Sequence, residues 1–165
     1  MPQLQLLGLK QTEEKTNMNK HENVILVSAP NLRGEQFVRA LLHRHIPFAA
    51  IVNNEQEYER LLGLGVETII AVDTSDEGVW PAAPDIGIGR VYLFERSLNQ
   101  ICRYLLICRK WSNNPIYVIT EQVRPKLMYR GLGANYVIYA SGQDSNFLIT
   151  DEMTDHESTG EDDTK

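Results

Sequence analysis

Residues 23–42 read NVILVSAPNLRGEQFVRALL. An apolar run of strand character, Val24 to Val27, stops at a turn of small residues. It restarts across Gly34 to His43 with Phe37, Val38, Leu41 and Leu42 at helical spacing. A strand, a tight turn and a helix in that order open a nucleotide-binding βαβ unit. There the turn and the first helical amides face an anion, because unpaired N–H groups and the helix dipole both favour negative charge. Of the glycines that usually line such a turn, only Gly34 is present.

Working outward, the same alternation continues. Ile46 to Val52 is a second buried strand, followed by an amphipathic helix from Glu55 to Leu64 with Gly63 and Gly65 at its close. Val66 to Val72 is a third β-rich run, with Asp73 in the loop after it. Gly78 to Gly89 contains Pro81 and Pro84 and reads as irregular. Arg90 to Phe94 is a fourth strand, Ser97 to Trp111 the strongest helix, Pro115 to Thr120 a fifth strand, Gln122 to Leu132 a helix and Ala134 to Tyr139 a sixth strand. The strands are continuous apolar runs, so both sheet faces must be covered. This pattern predicts an α/β fold: a doubly wound, mainly parallel six-stranded Rossmann-like sheet with helices on both faces.

The chain has 165 residues, 42% of them hydrophobic, which is one domain's worth. Its charge of −6 is uneven: residues 150–165 hold seven acids and one base, so residues 1–149 are neutral. A neutral body lacks the basic footprint of a nucleic-acid binder. The expected organisation is a flexible N-terminal arm at 1–21, a Rossmann-like domain at 22–149 and an acidic disordered tail at 150–165. Residues 1–17 read equally as a leader, an arm or an upstream start before Met18. No stretch is apolar enough to span a membrane, and Cys102 and Cys108, six apart on one helix, read as thiols of a reducing compartment. A cytoplasmic location is the expectation.

The chain resembles NAD(P)-binding Rossmann domains, especially the NmrA-like branch of the atypical short-chain dehydrogenases. Ser28-Ala29-Pro30-Asn31-Leu32-Arg33-Gly34 has the spacing of that family's GxxGxxG turn with the last glycine kept, and HIPFAAIVNNEQEYERLLGLGVETIIAVDTSD is similar to its next unit. NQICRYLLICRKWSNNPIYVIT and YRGLGANYVIYA are also similar to parts of the RCK domains that regulate channels and transporters. The resemblance covers roughly Glu22 to Ala140. It implies NAD(P) as cofactor and no metal, with Ser28, Ala29, Asn31, Leu32, Arg33 and Gly34 at the pyrophosphate, Asn53 and Asn54 at the ribose, and Asp73 near the adenine.

Each of these positions has a second reading. Ser28 and Asn31 put side chains where glycines would be, and Pro30 offers no N–H, so the turn either holds a nucleotide or only joins strand to helix. Asn31 also tolerates a left-handed backbone better than most residues. Asn53 and Asn54 suit a turn as well as a ribose, and Asp73 suits a cap. His43, Arg44 and His45 complement a helix C-terminus. Arg103, Arg109, Lys110, Arg124, Lys126 and Arg130 read as a solvated face balanced by nearby acids. No tyrosine is followed four positions later by lysine, the acid–base pair that the dehydrogenase resemblance would require. A receiver domain is excluded because Ser28-Ala29 stands where its acidic pair would be.

These readings point to a non-catalytic regulatory or protein-interaction module that senses a dinucleotide or another adenine nucleotide. Its expected contact with a second copy or a partner protein is the Ser97–Trp111 helix. The alternatives are an oxidoreductase completed by a partner chain and a ligand-free relic of the fold.

Overall fold

The computed structural model describes residues 23–140 except 77, 79 and 124, together with Leu148 and Ile149. The arm expected at 1–21 and the tail expected at 150–165 lie outside the described residues. Six strands, β1 (Val24–Ser28), β2 (Phe48–Val52), β3 (Ile69–Ala71), β4 (Ile88–Phe94), β5 (Ile116–Thr120) and β6 (Tyr136–Tyr139), form one sheet in the order β3-β2-β1-β4-β5-β6. Every pairing is parallel. The strand order reverses between β1 and β4, and in open α/β sheets the crevice at such a reversal, outside the carboxyl ends of the strands, is where ligands sit.

Helices α1 (Leu32–His43) and α2 (Glu55–Leu64) bring Phe37, Val38, Leu41, Tyr58 and Leu61 into one core layer with Val27, Ala50 and Tyr92. Helix α3 (Leu98–Trp111) and the short α4 (Lys126–Gly131) bring Ile101, Tyr104, Leu105, Cys108 and Tyr129 onto the opposite face with Leu26, Ile51 and Val118. The doubly wound expectation is met. On the first face Tyr92, Tyr117 and Tyr136 stand in register on β4, β5 and β6, with both ring pairs stacked at 4.8 Å between centroids. Such same-face aromatic neighbours stabilise a sheet by about 0.2–1 kcal/mol per pair.

Element boundaries move for local reasons. Helix α1 starts at Leu32 because Asn31 caps it. Its end is closed by two bonds, His45 N to Leu42 O at 3.2 Å and Ile46 N to Leu41 O at 3.0 Å, which keep Ile46 out of β2. The same pair closes α2 (Gly65 N to Leu62 O, Val66 N to Leu61 O) and α4 (Gly133 N to Arg130 O, Ala134 N to Tyr129 O). This stop needs a left-handed residue, and Gly65 and Gly133 supply it at φ 99° and 123°, whereas α1 uses His45 at φ 55°. Gly63, also placed at the helix end by the sequence, lies within α2. His45→Gly is expected to raise stability by about 1 kcal/mol, measured as a higher urea midpoint at unchanged slope, because the side chain's left-handed strain is removed.

The crossover from β3 to β4 contains no helix among the described residues. It is strapped to α3 instead: Arg103 donates to Asp76 O at 2.7 Å, and Trp111 Nε1 donates to Pro81 O at 3.2 Å. The Trp80 ring has the Arg103 guanidinium 4.4 Å and the Lys110 ammonium 4.0 Å from its centroid. Cation–π contacts at that range fix the strap's middle to α3. Cys108 is buried, which pushes its thiol up to about 12, and burial also raises half-buried Cys102; neither carries a reactive thiolate.

Candidate functional site

The first part of the site is the β1–α1 turn. Ser28 ends β1 and is fully buried, as is Ala29. Asn31 is extended at φ −130°, so left-handed tolerance plays no part there. Its Oδ1 accepts from the Gly34 amide at 2.8 Å, and its Nδ2 donates to Glu95 O at 2.8 Å, just past β4. The cap therefore takes an amide that an incoming phosphate would otherwise meet, and ties the turn across the crevice to β4. Leu32 is 71% exposed at the start of α1. Arg33 reaches Glu121, just past β5, at 2.9 Å.

Gly34 serves packing. A Cβ there would stand 2.7 Å from Ala29 Cα, 3.0 Å from Ala29 Cβ and 3.2 Å from Phe94 Cγ. The last glycine of a dinucleotide turn has this close helix–strand role, whereas the earlier ones admit the pyrophosphate. Gly34 is thus required by the close packing of α1 on β1.

Two polar clusters cover the carboxyl ends of the strands. In one, the Glu95 carboxylate accepts from Thr120 Oγ1 at 2.8 Å and from the buried Tyr129 hydroxyl. Burial and this carboxylate together hold Tyr129 far above the usual phenol range. In the other, Asn53 Oδ1 accepts from Asn54 Nδ2 at 2.9 Å and from Gln100 Nε2 at 3.1 Å, while Asn53 Nδ2 donates to Thr74 Oγ1 at 3.0 Å. Asn54 caps α2, accepting from the Glu57 amide at 2.8 Å. Asp73 stands apart in an exposed loop, where the Ser75 hydroxyl and amide hold its carboxyl below the usual range.

Leu26 and Ile51 face α3, so by strand alternation Ser28 and Asn53, each two residues further along, project to the same side. There the structure leaves buried oxygens unmatched. Among the described residues, Ser28 Oγ, Gln100 Oε1 and, across Asn54, Glu57 Oε1 have no hydrogen-bond partner, and the buried Tyr104 hydroxyl has the Gln100 side chain beside it. All four residues are at least nine-tenths buried. Desolvation raises Tyr104 well above the phenol range, with Glu57 adding to the shift and Gln100 beside it opposing it. Burial also pushes the Glu57 carboxyl up to about 7, against the Asn54 amide and the charges of Arg96 and Arg60.

Six of these residues were not singled out from the sequence: Glu57, Glu95, Gln100, Tyr104, Thr120 and Tyr129. Glu57 had a signal, since Asn54 and Glu57 stand at capping-box spacing. Glu95 and Thr120 had only their place at strand ends. Among the described residues no group of three or more histidine, cysteine or acidic side chains could hold a metal, and no helix is long and apolar enough to cross a membrane.

No family model matches the sequence, and no curated protein does. Among solved structures, the chain is similar to the TrkA-N domain of the inner membrane protein ybaL from Escherichia coli. The identity is 16% and the TM-score 0.54, over 72% of this chain and 87% of that one. At that identity the likeness concerns the fold, and with the strand order β3-β2-β1-β4-β5-β6 it makes this chain a Rossmann-like domain.

Proposed function

We propose that the protein is a non-catalytic regulatory module that senses an adenine nucleotide, NAD(P) first among them, in the crevice between the β1–α1 turn and the start of α3. The observation that supports this most is the set of unmatched buried oxygens of Ser28, Gln100 and Glu57, next to the buried Tyr104 hydroxyl. Each such group is costly unless a polar partner arrives, and hydroxyl- and amide-rich ligands supply donors and acceptors together. Asn53 and Asn54, at the end of β2, stand where a ribose would lie. In place of two of the glycines, Ser28 and Asn31 leave less room for a pyrophosphate, so binding is expected to be weaker than in a glycine-lined turn.

The response would run through Gln100. A ligand competing for Asn53 would release the Gln100 bond that ties the crevice to the first turn of α3, and its differential affinity for the two arrangements would shift their populations. The test is native mass spectrometry with titrated NAD(H), NADP(H), ATP and AMP, on the natural chain and on Leu32→Glu. An acid in the first turn of α1 favours the helix dipole, so the fold is kept, but it repels an anion from the crevice. One nucleotide per chain, weakened about tenfold or more by Leu32→Glu at an unchanged or higher melting temperature, is the expected result. Absence of binding at millimolar nucleotide, or binding that ignores Leu32→Glu, refutes the reading and leaves a ligand-free scaffold.

A further inference from the structure

Helix α3 buries Ile101, Tyr104, Leu105 and Cys108 against the sheet, yet its outer side is also apolar. Leu98 and Leu106 are 43% and 37% exposed, and half-buried Cys102 lies between them one turn from each. On one flank Cys102 Sγ meets Met128 Sδ of α4 at 3.8 Å, extending the strip to Met128 and Leu127, which are 50% and 82% exposed. On the other flank Trp80 is 39% exposed beneath Lys110. Large aliphatic, sulfur and aromatic side chains thus run across two helices and the strap, which is the mark of an interaction surface.

The stretch of chain that carries α3 and α4 is mostly basic. Residues 97–140 contain six bases, Arg103, Arg109, Lys110, Arg124, Lys126 and Arg130, and a single acid, Glu121. Glu121 is held by Arg33. Acids outside this stretch reach it at the strap, where Arg103 donates to Asp76 O and its charge helps hold the Asp73 carboxyl low. Arg103 and Arg109 point inward to carbonyls of the strap and of the loop before β6, and among the described residues Lys110, Lys126 and Arg130 are exposed cations.

We infer that this α3–α4 face docks an acidic amphipathic helix of a partner protein, with apolar residues one turn apart on Leu98, Cys102, Leu106 and Met128 and carboxylates meeting Lys110, Lys126 and Arg130. Helix-in-surface recognition reads apolar anchors at this spacing, and opposite charge sets the choice of partner. A second copy fits poorly, since a two-fold contact sets each patch on itself and brings like charges together. The chain's own residues 150–165 carry the acids but only one large apolar residue, Met153, so they match the charge and not the strip. The inference does not depend on nucleotide binding; the crevice and this face are probed separately.

The probe is a designed ~16-residue helical peptide with leucines one turn apart and glutamates between them, beside a counterpart with lysine for every glutamate. Binding is followed by peptide anisotropy and by the emission of Trp80 and Trp111 together. The expected result is saturable binding of the glutamate peptide, weakened at least about tenfold by Leu106→Glu and several-fold by raising salt from about 50 to about 500 mM, with no binding of the lysine peptide. Leu106 lies on the surface, and unchanged circular dichroism of Leu106→Glu confirms that the fold is intact. No binding of the glutamate peptide, or equal binding of the lysine peptide, overturns the inference. So does a dimer in native mass spectrometry that Leu106→Glu dissociates, which assigns the face to a second copy. Phosphatidylserine vesicles that bind through Leu106 while the peptide does not would assign it to a membrane. Tighter peptide binding when the seven acids of residues 150–165 are replaced by their amides would assign it to that segment.

Discussion

Replacing Gly34 by alanine is expected to destabilise the domain by about 3 kcal/mol or more, a loss large enough to leave much of the chain unfolded at 37 °C. The nearest atom to the new Cβ would be Ala29 Cα at 2.7 Å, and backbone cannot swing aside as a long side chain can. The second contact, Ala29 Cβ at 3.0 Å, can be removed, so Ala29→Gly in the same chain should restore only part of the loss. Urea denaturation of the three variants reads this directly. If Gly34→Ala matches the natural protein, the close approach of α1 to β1 is not what this glycine serves. The same contact means that a bulky substitution at Gly34 cannot report on ligand binding, because it disturbs the fold first; Leu32, exposed at the same turn, is the position that separates the two.

Much of this architecture was legible because period and punctuation agree along the chain. Val24 to Val27, Phe48 to Val52 and Ile116 to Thr120 are largely apolar runs too short for helices, and each is followed by a capped amphipathic segment or a turn. The helix stops were legible at Gly65, which glycine provides, and at His43, where α1 ends as expected; that His45 takes the left-handed position was not. The edge strand β3 is shorter than its apolar run because Val66 is still bonded to the end of α2.

The site was half legible. Strand ends and turn residues drew attention to Ser28, Asn31, Asn53 and Asn54, but side-chain partners come from chain segments far apart in sequence. Asn31 bonds across 64 positions to Glu95, and Asn53 across 47 to Gln100. No local pattern encodes such pairings. They matter for the reading of both asparagines, since amides already engaged in capping and cross-strand ties must exchange those bonds before they can hold a nucleotide.

The long helix shows the same division. Its apolar residues cover more than one stripe, Leu98, Cys102 and Leu106 as well as Ile101, Leu105 and Cys108. In the fold Leu105 is fully buried and Leu106 is not, one residue apart, so core and surface are separated by 100° of helical rotation. Charge is segregated along the chain as well: residues 1–149 are neutral in sum, yet residues 97–140 hold six bases and one acid.

Glu57→Gln is expected to make the protein more stable above neutral pH and to change little in acid. Burial at 2% exposure raises the Glu57 carboxyl from its ordinary 4.5 to about 7. A raised carboxyl binds its proton more tightly in the folded chain than in the unfolded one. Its favourable contribution is therefore complete below about 4.5, declines as pH rises, and is gone above about 7. The full difference corresponds to about 3 kcal/mol. Glutamine keeps an oxygen for the Asn54 amide, which donates to Glu57 Oε2 at 3.3 Å, and has nothing to ionise. The stability difference between variant and natural chain should therefore grow from near zero at pH 4 to roughly 2–3 kcal/mol at pH 8, with its steepest change between them. Urea midpoints at a series of pH values measure it. A difference that stays constant with pH would mean that Glu57 ionises freely in the folded protein, and that water reaches its unmatched Oε1. A nucleotide that donates to that oxygen would lower the carboxyl again, so the same series with saturating ligand should flatten if the crevice is occupied as proposed. The pH profile thus links the one buried acid of α2 to the binding question through a measurement that needs no partner and no activity.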